Sequence, residues 1–366
     1  MPVVTLKSGE QLAIRIEGPP LLEYARKTPG SELLDWCWPQ IKEEMLGGQM
    51  RRWIHAPYAL GELNGELVGS IAYYAAADRR DVGVVEFVQT AEAHRGKGIS
   101  SALLGTLIER FIGEGGLALY LCTTNPIAGS LYEKHGFKYL VGDGMRYLAP
   151  GVREFDETYL SFNGAATVRE ATWADLARLT VLYNHSEPGW LVKDYLTNAF
   201  QHSRYESHFV KLMRRIEDQR GAFLVLENPA RRVVGAAVFE RLDNFFEQHC
   251  ATLSLRVCPA YLHQTSELLD VAASRAREIG ISMLQVHAAG RDSDQLEILT
   301  ASGFSEEARF RDRLRDGDDW TDLVLYTMRL ADGVAPIRGE GEYYGARQTW
   351  QTDRVLTLSP SGRGLR

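Results

Sequence analysis

The stretch that decides the fold is Val85-Glu-Phe-Val-Gln-Thr-Ala-Glu-Ala-His-Arg-Gly-Lys-Gly-Ile-Ser-Ser-Ala-Leu-Leu104. It reads as an apolar strand, then a turn with Gly96 and Gly98, then an apolar-periodic helix. Such a turn leaves free backbone N–H groups at the positive end of a helix, where they favour a phosphate or pyrophosphate. The pattern is neither Gly-x-Gly-x-x-Gly nor the Walker sequence, because Ile99 follows Gly-Lys.

The sequence around this stretch alternates between strand and helix patterns. Asn64-Gly65 between two alternating apolar runs predicts a tight hairpin. The other expected elements are a strand at 12–16, a helical pattern at 31–45 that Pro39 interrupts, a strand at 82–89, a helix at 100–114, a strand at 117–123, a helix at 128–134 and a strand from Phe137. This order predicts a mixed α/β sheet.

The second part of the chain repeats this order. A helix start with a capping box is expected at Thr172–Asp175, and a hairpin turn at Asn228-Pro229. Gly69 and Gly136 are 67 residues apart, and Gly235 and Gly303 are 68 apart, in matching contexts. We therefore expect an internal duplication, with domains at 1–150 and 165–332, a linker at 151–164 and a C-terminal extension at 333–366.

Composition excludes several classes of protein. The chain has 366 residues, enough for two domains, and a formal net charge of −7. The chain is mildly acidic and has no long basic run, so nucleic-acid binding is not expected. It has no apolar stretch of about 18 residues, so membrane binding is not expected either. The N-terminal residues lack a signal-peptide pattern, and the four cysteines form no Cys-x-x-Cys pair. These features favour reduced thiols and a cytoplasmic location, and argue against a zinc site.

Two motifs together resemble one family. The turn matches Arg/Gln-x-x-Gly-x-Gly/Ala through Arg95, Gly98 and Ser100, although Ser100 departs from the usual Gly or Ala. Downstream, Asn125-Pro-Ile-Ala-Gly-Ser-Leu-Tyr-Glu-Lys-His-Gly-Phe137 matches the pattern Asn…Ala…Leu-Tyr-Glu-Lys-x-Gly-Phe. From about residue 11 to 148, the chain resembles the GNAT superfamily of acyl-CoA-dependent N-acyltransferases.

The resemblance implies two tandem GNAT-like mixed-sheet domains, with a splayed pair of central strands in the first. It implies that acetyl-CoA, or another short acyl-CoA, lies between those strands in the first copy. The expected cofactor-binding residues are Val88, Arg95, Gly96, Lys97, Gly98, Ile99, Ser100, Ser101, Asn125 and Ser130.

The resemblance also implies that Tyr132 is the general acid that reprotonates the leaving thiolate. A phenol with a pKa near 10 and a thiol with a pKa near 8.5 allow this proton transfer downhill. Without the resemblance, Tyr132 would read as a packing residue on an amphipathic helix.

The general base is less defined by the sequence. Glu86 is a carboxylate inside an apolar strand, where a buried charge is expected to have an ion-pair partner or a functional role. Its alternative interpretation is an ion pair or a strand edge open to water. Asp81 and His55 are weaker candidates, and a water chain without a single base is a further alternative.

Trp36 and Trp38 are the candidate walls of an acceptor pocket. Because residues i and i+2 point to different helix faces, at least one of them belongs to the core. Cys122, with no histidine beside it in sequence, is expected to be buried filler rather than a nucleophile.

The second copy lacks both the glycine turn and the tyrosine that the resemblance assigns to the first copy. No glycine occurs from Val257 to Ile279, and Leu299 stands four residues before Gly303, as Tyr132 stands before Gly136. We therefore expect a degenerate copy that is structural, forms a lid, or carries acceptor specificity.

The leading functional hypothesis is direct transfer of an acetyl group to the primary amine of a small molecule. The alternatives are a non-catalytic acyl-CoA sensor and a peptide or protein N-acetyltransferase. The chain is expected to be a monomer, as a pseudo-dimer of its two copies, or a homodimer.

Overall fold

The structure is a computed structural model that describes residues 2–36, 38–195 and 205–330, without the side chains of Trp36, Val141 and residues 205–207. The predicted extension at 333–366 and Cys37 lie outside the described residues. The described residues belong to one compact unit. The division of the chain into domains at 1–150 and 165–332 stays a prediction.

The first half is built on one mixed sheet, with the order β1-β2-β4-β5-β6-β7-β9-β8 and β3 paired to β5. Its strands are β1 (Val3–Thr5), β2 (Gln11–Glu17), β3 (Ile54–His55), β4 (Tyr58–Leu63), β5 (Glu66–Ala76), β6 (Val82–Thr90), β7 (Ala118–Cys122), β8 (Lys138–Val141) and β9 (Gly144–Leu148). All neighbours are antiparallel except β6 and β7.

The second half is built on a separate sheet of the same kind, with the order β10-β11-β12-β13-β14-β16-β15. Its strands are β10 (Thr167–Glu170), β11 (Gly221–Glu227), β12 (Val233–Arg241), β13 (Cys250–Val257), β14 (Met283–Ala289), β15 (Ser305–Asp316) and β16 (Asp319–Arg329). Again one neighbouring pair, β13 and β14, is parallel. The two mixed sheets confirm the predicted α/β fold class.

The helices cover both faces of these sheets. They are α1 (Leu22–Lys27), α2 (Lys42–Gly47), α3 (Ile99–Gly113), α4 (Pro126–Lys134), α5 (Phe155–Tyr159), α6 (Leu176–Asn184), α7 (Tyr205–Glu217), α8 (Thr265–Glu278) and α9 (Ser293–Ala301). Among the described residues, no helix combines the length and the apolarity needed to cross a bilayer.

Local sequence explains several element boundaries. Asn64 and Gly65 both have positive φ, at 51° and 82°, which makes the predicted tight hairpin turn between β4 and β5. The capping box predicted at Thr172 and Asp175 is present and starts a short 3₁₀ helix that leads into α6.

The helical pattern expected over 31–45 differs from the structure. It is divided into a 3₁₀ helix at Ser31–Trp36 and the helix α2. Pro39 lies between them, where it disfavours a helical conformation for the preceding residue. Ser31 does not cap a helix, because its hydroxyl donates a hydrogen bond to the Ala25 carbonyl instead.

Alternation along the strands gives the first sheet two apolar faces. Ile71 and Tyr73 belong to the face covered by α3, whereas Ala72 and Tyr74 belong to the opposite face. That opposite face shares one continuous core with α6 and with the second sheet. The two halves are therefore joined by apolar burial as well as by the chain.

Helix α6 is the centre of this shared core. All nine of its residues are buried, and it packs on β5 and β6 of the first sheet and on β12 and β13 of the second. Its polar side chains are satisfied locally: Thr180 Oγ1 donates to the Leu176 carbonyl and Asn184 Nδ2 donates to the Thr180 carbonyl. A helix without an exposed face holds both sheets in place.

An ionic cluster reinforces this junction. The Arg178 side chain on α6 is 3% exposed, and its Nη2 lies 2.7 Å from Asp78 Oδ1 in the turn between β5 and β6. Its Nη1 lies 3.4 Å from Asp175 Oδ1 and 3.9 Å from Glu227 Oε2. Hydrogen bonds to these carboxylates oppose the effect of burial and raise the pKa of Arg178.

Replacing this arginine tests how strongly the junction holds the protein together. We expect Arg178→Ala to lower the free energy of unfolding by about 2 kcal/mol, because it removes the hydrogen bonds of a buried cation to Asp78 and Asp175. Arg169 and Arg231 still pair with these carboxylates, so the loss is smaller than for an isolated buried pair. Urea unfolding followed by circular dichroism measures the change. The control is Lys27→Ala, which removes an exposed pair with Glu23 and should cost less than about 0.5 kcal/mol. Equal effects of the two variants would contradict a stabilising junction.

Candidate acyl-transfer site

The turn singled out by the sequence connects β6 to α3. A short 3₁₀ turn at Glu92–His94 leads into Arg95, and Gly98 occupies the N-cap position of α3. Gly96 and Gly98 have φ of +78° and +93°, a region of backbone conformation in which residues with a side chain are strained. A Cβ at either position would meet nothing within 4 Å. The turn is therefore open to an approaching ligand.

The backbone N–H groups of this turn have no protein acceptor in the part of the chain that the structure describes. From residue 96 to 101, no N–H donates a hydrogen bond, and the first helical bond runs from Ala102 N to the Gly98 carbonyl at 3.1 Å. Unpaired amides at a helix N-terminus attract anions, and the helix dipole adds to the attraction. The geometry fits a phosphate group.

The side chains of the turn divide into paired and exposed groups. Lys97 Nζ lies 3.0 Å from Glu10 Oε2, and hydrogen bonds from Ser8 and Lys97 lower the pKa of Glu10. Part of the charge expected from Lys97 is therefore compensated. Arg95 is exposed and makes no ion pair with a described residue. Arg95 is thus the better placed cation for an incoming anion.

The first turn of α3 is tied to its neighbours by the two serines. Ser100 Oγ lies 2.6 Å from Thr90 Oγ1 at the end of β6, and Ser101 Oγ lies 2.8 Å from His135 Nε2 just after α4. Burial lowers the pKa of His135, which favours its neutral form. These contacts fix the turn between the end of β6 and the end of α4.

The central strands separate where a GNAT-like fold requires it. β6 pairs with β7 over three residues only, from Val82 opposite Ala118 to Val84 opposite Tyr120. β6 then continues to Thr90, and β7 continues to Cys122. A slot therefore opens between them, at the same end of the sheet as the open turn.

A β-bulge lies beside this slot. Ser70 pairs with Gln89 and Ala72 pairs with Glu86, so that Phe87 and Val88 together oppose Ile71. Phe87 has φ of +55°, which is strained for a side chain of this size. Bulges of this kind bend a strand and change the direction of its backbone groups. Sequence reasoning missed this bulge, because Phe87 gives no sign of positive φ.

The candidate base Glu86 and the candidate pocket wall Trp38 lie on the same face of the first sheet. Glu86 is half-buried and shares its face with Val82 and Val84, which belong to the core that includes α6. Trp38 is 7% exposed, and its ring centroid lies 5.0 Å from that of Tyr74 and 5.6 Å from that of Phe87. Trp38 is therefore a core residue that also borders the bulge. The side chain of Trp36 lies outside the described residues.

The two weaker base candidates lie elsewhere. Asp81 stands just before β6 and pairs with Arg79 at 2.5 Å. His55 Nε2 lies 2.8 Å from Glu114 Oε2, just beyond the C-terminal end of α3. Both therefore sit at the opposite end of the sheet from the open turn. Cys122, predicted as buried filler, is partly exposed at the end of β7.

Helix α4 carries the second motif. Asn125 is its N-cap, and its side chain accepts a hydrogen bond from Ile127 N at 3.0 Å. Ser130 is exposed, whereas Tyr132 is 5% exposed and packs its ring 5.8 Å from that of Phe137. Tyr132 belongs to the same apolar cluster as Ile99 and Leu103 of α3. The motif thus adjoins the first turns of α3.

The second half lacks the open turn. There, a 3₁₀ helix at Pro259–Gln264 continues directly into α8, and no residue from 258 to 279 has positive φ. β12 and β13 pair without a register shift, so the bulge is missing too. β13 is one residue shorter than β6, as the absence of a bulge residue requires.

The slot of the second half exists but is filled by its own chain. β13 and β14 also pair over three residues only, and residues 192–195 lie between them beyond that point. The Tyr195 ring stacks 4.2 Å from the ring of His287 on β14, and Ser254 of β13 donates to Asp194 at 3.3 Å. Burial lowers the pKa of His287 to about 4, so it is neutral near pH 7.

The chain that leads into the filling segment is held by two buried polar side chains. Arg256, fully buried on β13, donates to the carbonyl groups of His185 and Pro188. Asp292, next to α9, accepts a hydrogen bond from Leu191 N at 2.8 Å. Sequence reasoning predicted the loss of the turn but missed this filling segment, because the contacts join residues 60 to 101 positions apart.

The position of Tyr132 in the motif also has a counterpart in the second half. Phe137 N donates to the Tyr132 carbonyl at 3.1 Å, and Phe304 N donates to the Leu299 carbonyl at 3.0 Å. The intervening glycines, Gly136 and Gly303, both have φ of +88°. Leu299 therefore occupies the place of Tyr132. Among the described residues, no three His, Cys, Asp or Glu side chains are grouped to hold a metal ion.

Comparison with known families finds one match. Residues 24–137 match the family model described as the acetyltransferase (GNAT) family. Over these residues, the match confirms the resemblance drawn from the motifs. No curated protein matches the chain.

Several solved structures are similar to the chain. A GNAT superfamily phosphinothricin acetyltransferase from Sinorhizobium meliloti, solved with AcCoA, is 19% identical with a TM-score of 0.42, covering 48% of this chain and 95% of its own. A ribosomal-protein-alanine N-acetyltransferase from Brucella melitensis is 23% identical with a TM-score of 0.39, covering 45% and 99%. An N-acetyltransferase from Staphylococcus aureus Mu50 is 17% identical with a TM-score of 0.39, covering 46% and 99%.

Proposed function

We propose that the first half is an acetyl-CoA-dependent N-acetyltransferase that acetylates the primary amine of a small molecule. The observation that carries this proposal is the open turn at 96–101, whose amides have no acceptor among the described residues, beside a slot between β6 and β7. The family match of residues 24–137 supports the same activity. A further reason is the contrast with the second half, where the corresponding slot is filled.

The residues present fit acetyl-CoA. The amides of residues 96–101 would hold its pyrophosphate, with Arg95 as an exposed cation beside them. Ile99, Ser100 and Ser101 form the first turn of the helix that presents these amides. Val88 beside the bulge, and Asn125 and Ser130 on α4, would contact the rest of the cofactor. Acetyl-CoA supplies an activated thioester, so the protein needs no nucleophile of its own.

We assign proton donation to the departing sulfur to Tyr132. It is buried beside the first turns of α3, next to the turn that would hold the pyrophosphate. A phenol in this position can deliver its proton to the sulfur. The absence of such a group at Leu299 is a second reason to treat the other half as inactive.

We assign the removal of a proton from the acceptor ammonium to Glu86. It is a half-buried carboxylate one residue before the bulge, on the face that Trp38 and α6 cover. A carboxylate in such a place can bind an ammonium group and accept a proton from it. The aromatic rings of Trp38, Tyr74 and Phe87 would favour an acceptor with an apolar or aromatic part.

We assign a structural role to the second half. Its slot is occupied by residues 192–195, and its helix α6 covers the face of the first sheet that carries Glu86. The second half therefore forms part of the wall around the proposed acceptor site. A tandem arrangement of one active and one degenerate copy accounts for both features.

Calorimetric titration with acetyl-CoA tests the cofactor site. We expect one site per chain in the native protein and no measurable binding in Gly98→Glu, because the new carboxylate would repel the pyrophosphate and occupy the open space. The matched control is Gly115→Glu, at the other end of α3. Gly115 also has positive φ, at +85°, and a Cβ added there would likewise meet nothing within 4 Å.

Both glycine variants carry the same backbone strain, so a difference between them reports on the ligand alone. Two sites per chain would show that the second slot opens. An absence of binding in the native protein would remove the acyltransferase proposal.

Substituting the proposed acid separates binding from chemistry. We expect Tyr132→Phe to lower kcat by about 100-fold or more, because the proton donor is lost. Acetyl-CoA binding should be retained, because the open turn at 96–101 is unchanged. Stopped assays of thiol release with a panel of small amines measure the rate. Tyr139→Phe, at an exposed tyrosine, is the control. An unchanged rate in Tyr132→Phe would exclude this residue from the mechanism.

The proposed base has a pH signature. We expect Glu86→Gln to lower kcat/KM by about 100-fold near neutral pH. In the native enzyme we expect activity to fall at acid pH as Glu86 is protonated, and we expect this fall to be missing in the variant. Full pH–rate profiles measure both effects. Glu92→Gln, at an exposed carboxylate just after β6, is the control. If the native and Glu86→Gln profiles coincide, a water chain rather than Glu86 takes the proton.

The amine panel also distinguishes the alternatives. Tight acetyl-CoA binding with no transfer to any amine or peptide would favour a sensor. Transfer to peptide N-termini alone would favour a peptide N-acetyltransferase.

A further inference from the structure

A second cavity lies at the far end of α3 from the open turn. Its volume is about 440 Å³, within the range of small-ligand sites, and α3 separates it from the turn by about 22 Å. Four elements bring basic side chains to it: the 3₁₀ helix at Gln49–Arg52, β3, the turn before β6, and α3. These side chains are Arg51, His55, Arg80 and Arg110.

One carboxylate compensates part of this charge. Glu114, just beyond α3, lies 2.8 Å from His55 Nε2 and 3.4 Å from Arg80 Nη1, and pairs with Arg110 Nε. The Tyr73 hydroxyl also donates to it, at 2.8 Å. Burial raises the pKa of Glu114, but these hydrogen bonds and positive charges outweigh it and lower the pKa. The carboxylate is therefore ionised and its acceptor capacity is shared among four donors.

The cationic charge exceeds this single carboxylate. None of the described residues that line the cavity is acidic. Arg51 is exposed and makes no ion pair with a described residue. Three guanidinium groups thus face one carboxylate, an excess of two positive charges even with His55 neutral.

The basic side chains come to one concave space from distant parts of the chain. The walls also include apolar groups, among them Ile16, Ile54 and Pro57. The cavity therefore offers cationic groups to an anion and an apolar surface to a carbon skeleton.

We propose that this cavity is a binding site for a small multivalent oxyanion, a phosphate ester or a polycarboxylate. Guanidinium groups form paired hydrogen bonds with both phosphate and carboxylate oxygens, which makes arginine the preferred residue for either. The site is separate from the proposed acyl-transfer site and does not depend on it.

Calorimetric titrations of the full chain with citrate and with inorganic phosphate test this proposal. The open turn also attracts phosphate, so the titrations are made in the Gly98→Glu variant, in which that turn is blocked. We expect saturable binding of at least one of the two anions, at constant ionic strength set with chloride. The anion that binds more tightly identifies the class of the ligand.

Two arginine variants locate the binding. We expect Arg51→Gln to lower the affinity for the anion at least tenfold, and the double variant Arg51→Gln/Arg80→Gln to abolish binding. Arg51 is exposed and unpaired with described residues, so the single variant should fold normally. Arg52→Gln, at the next residue, which stacks on Trp53 and does not line the cavity, is the matched control.

The outcomes are separable from those for the acyl-transfer site. Binding of neither anion, or equal affinity in the Arg51→Gln and Arg52→Gln variants, would overturn the proposed oxyanion site and leave the acetyl-CoA titration unaffected. Failure of acetyl-CoA binding would overturn the proposed function and leave the anion titrations unaffected.

Discussion

The rest of the site depends on the short pairing between the two parallel strands at the centre of each sheet. In each half they share three residue pairs and then separate. Separated strands expose backbone polar groups that cannot stay buried without partners. Something must fill the gap, and the two halves differ in what fills it. In the second half, residues 192–195 do so. In the first half, the turn and the bulge leave the gap open to a ligand.

The open state of the first slot is supported by several local features that all favour the same ligand. Two glycines with positive φ free the amides of residues 96–101, and α3 orients its dipole toward them. The serines of the first helical turn fix its position through Thr90 and His135. In the second half, a continuous helical turn, an unbulged strand and Leu299 stand in place of the glycine turn, the bulged strand and Tyr132. The turn, the bulge and the tyrosine thus occur together in one half and are absent together from the described residues of the other.

Local sequence predicted those parts of the fold that depend on local chemistry. Asn64-Gly65, the capping box at Thr172 and the strand–turn–helix around Gly98 each follow from the backbone preferences of a few adjacent residues. The degenerate turn was visible because glycine is required there and is missing. What escaped prediction depends on distant contacts: the pairing of Lys97 with Glu10 and the seating of Tyr195 on His287. The bulge at Phe87 escaped for a different reason, since strain is imposed by the surroundings and not by residue type.

Helix α6 has a consequence for how such a chain can change over evolutionary time. Because all its residues are buried between two sheets, the second half shields an apolar face of the first from water. Selection would therefore retain the second half for this burial alone, whether or not it binds a ligand of its own. Deleting it would expose to water the apolar face that α6 covers.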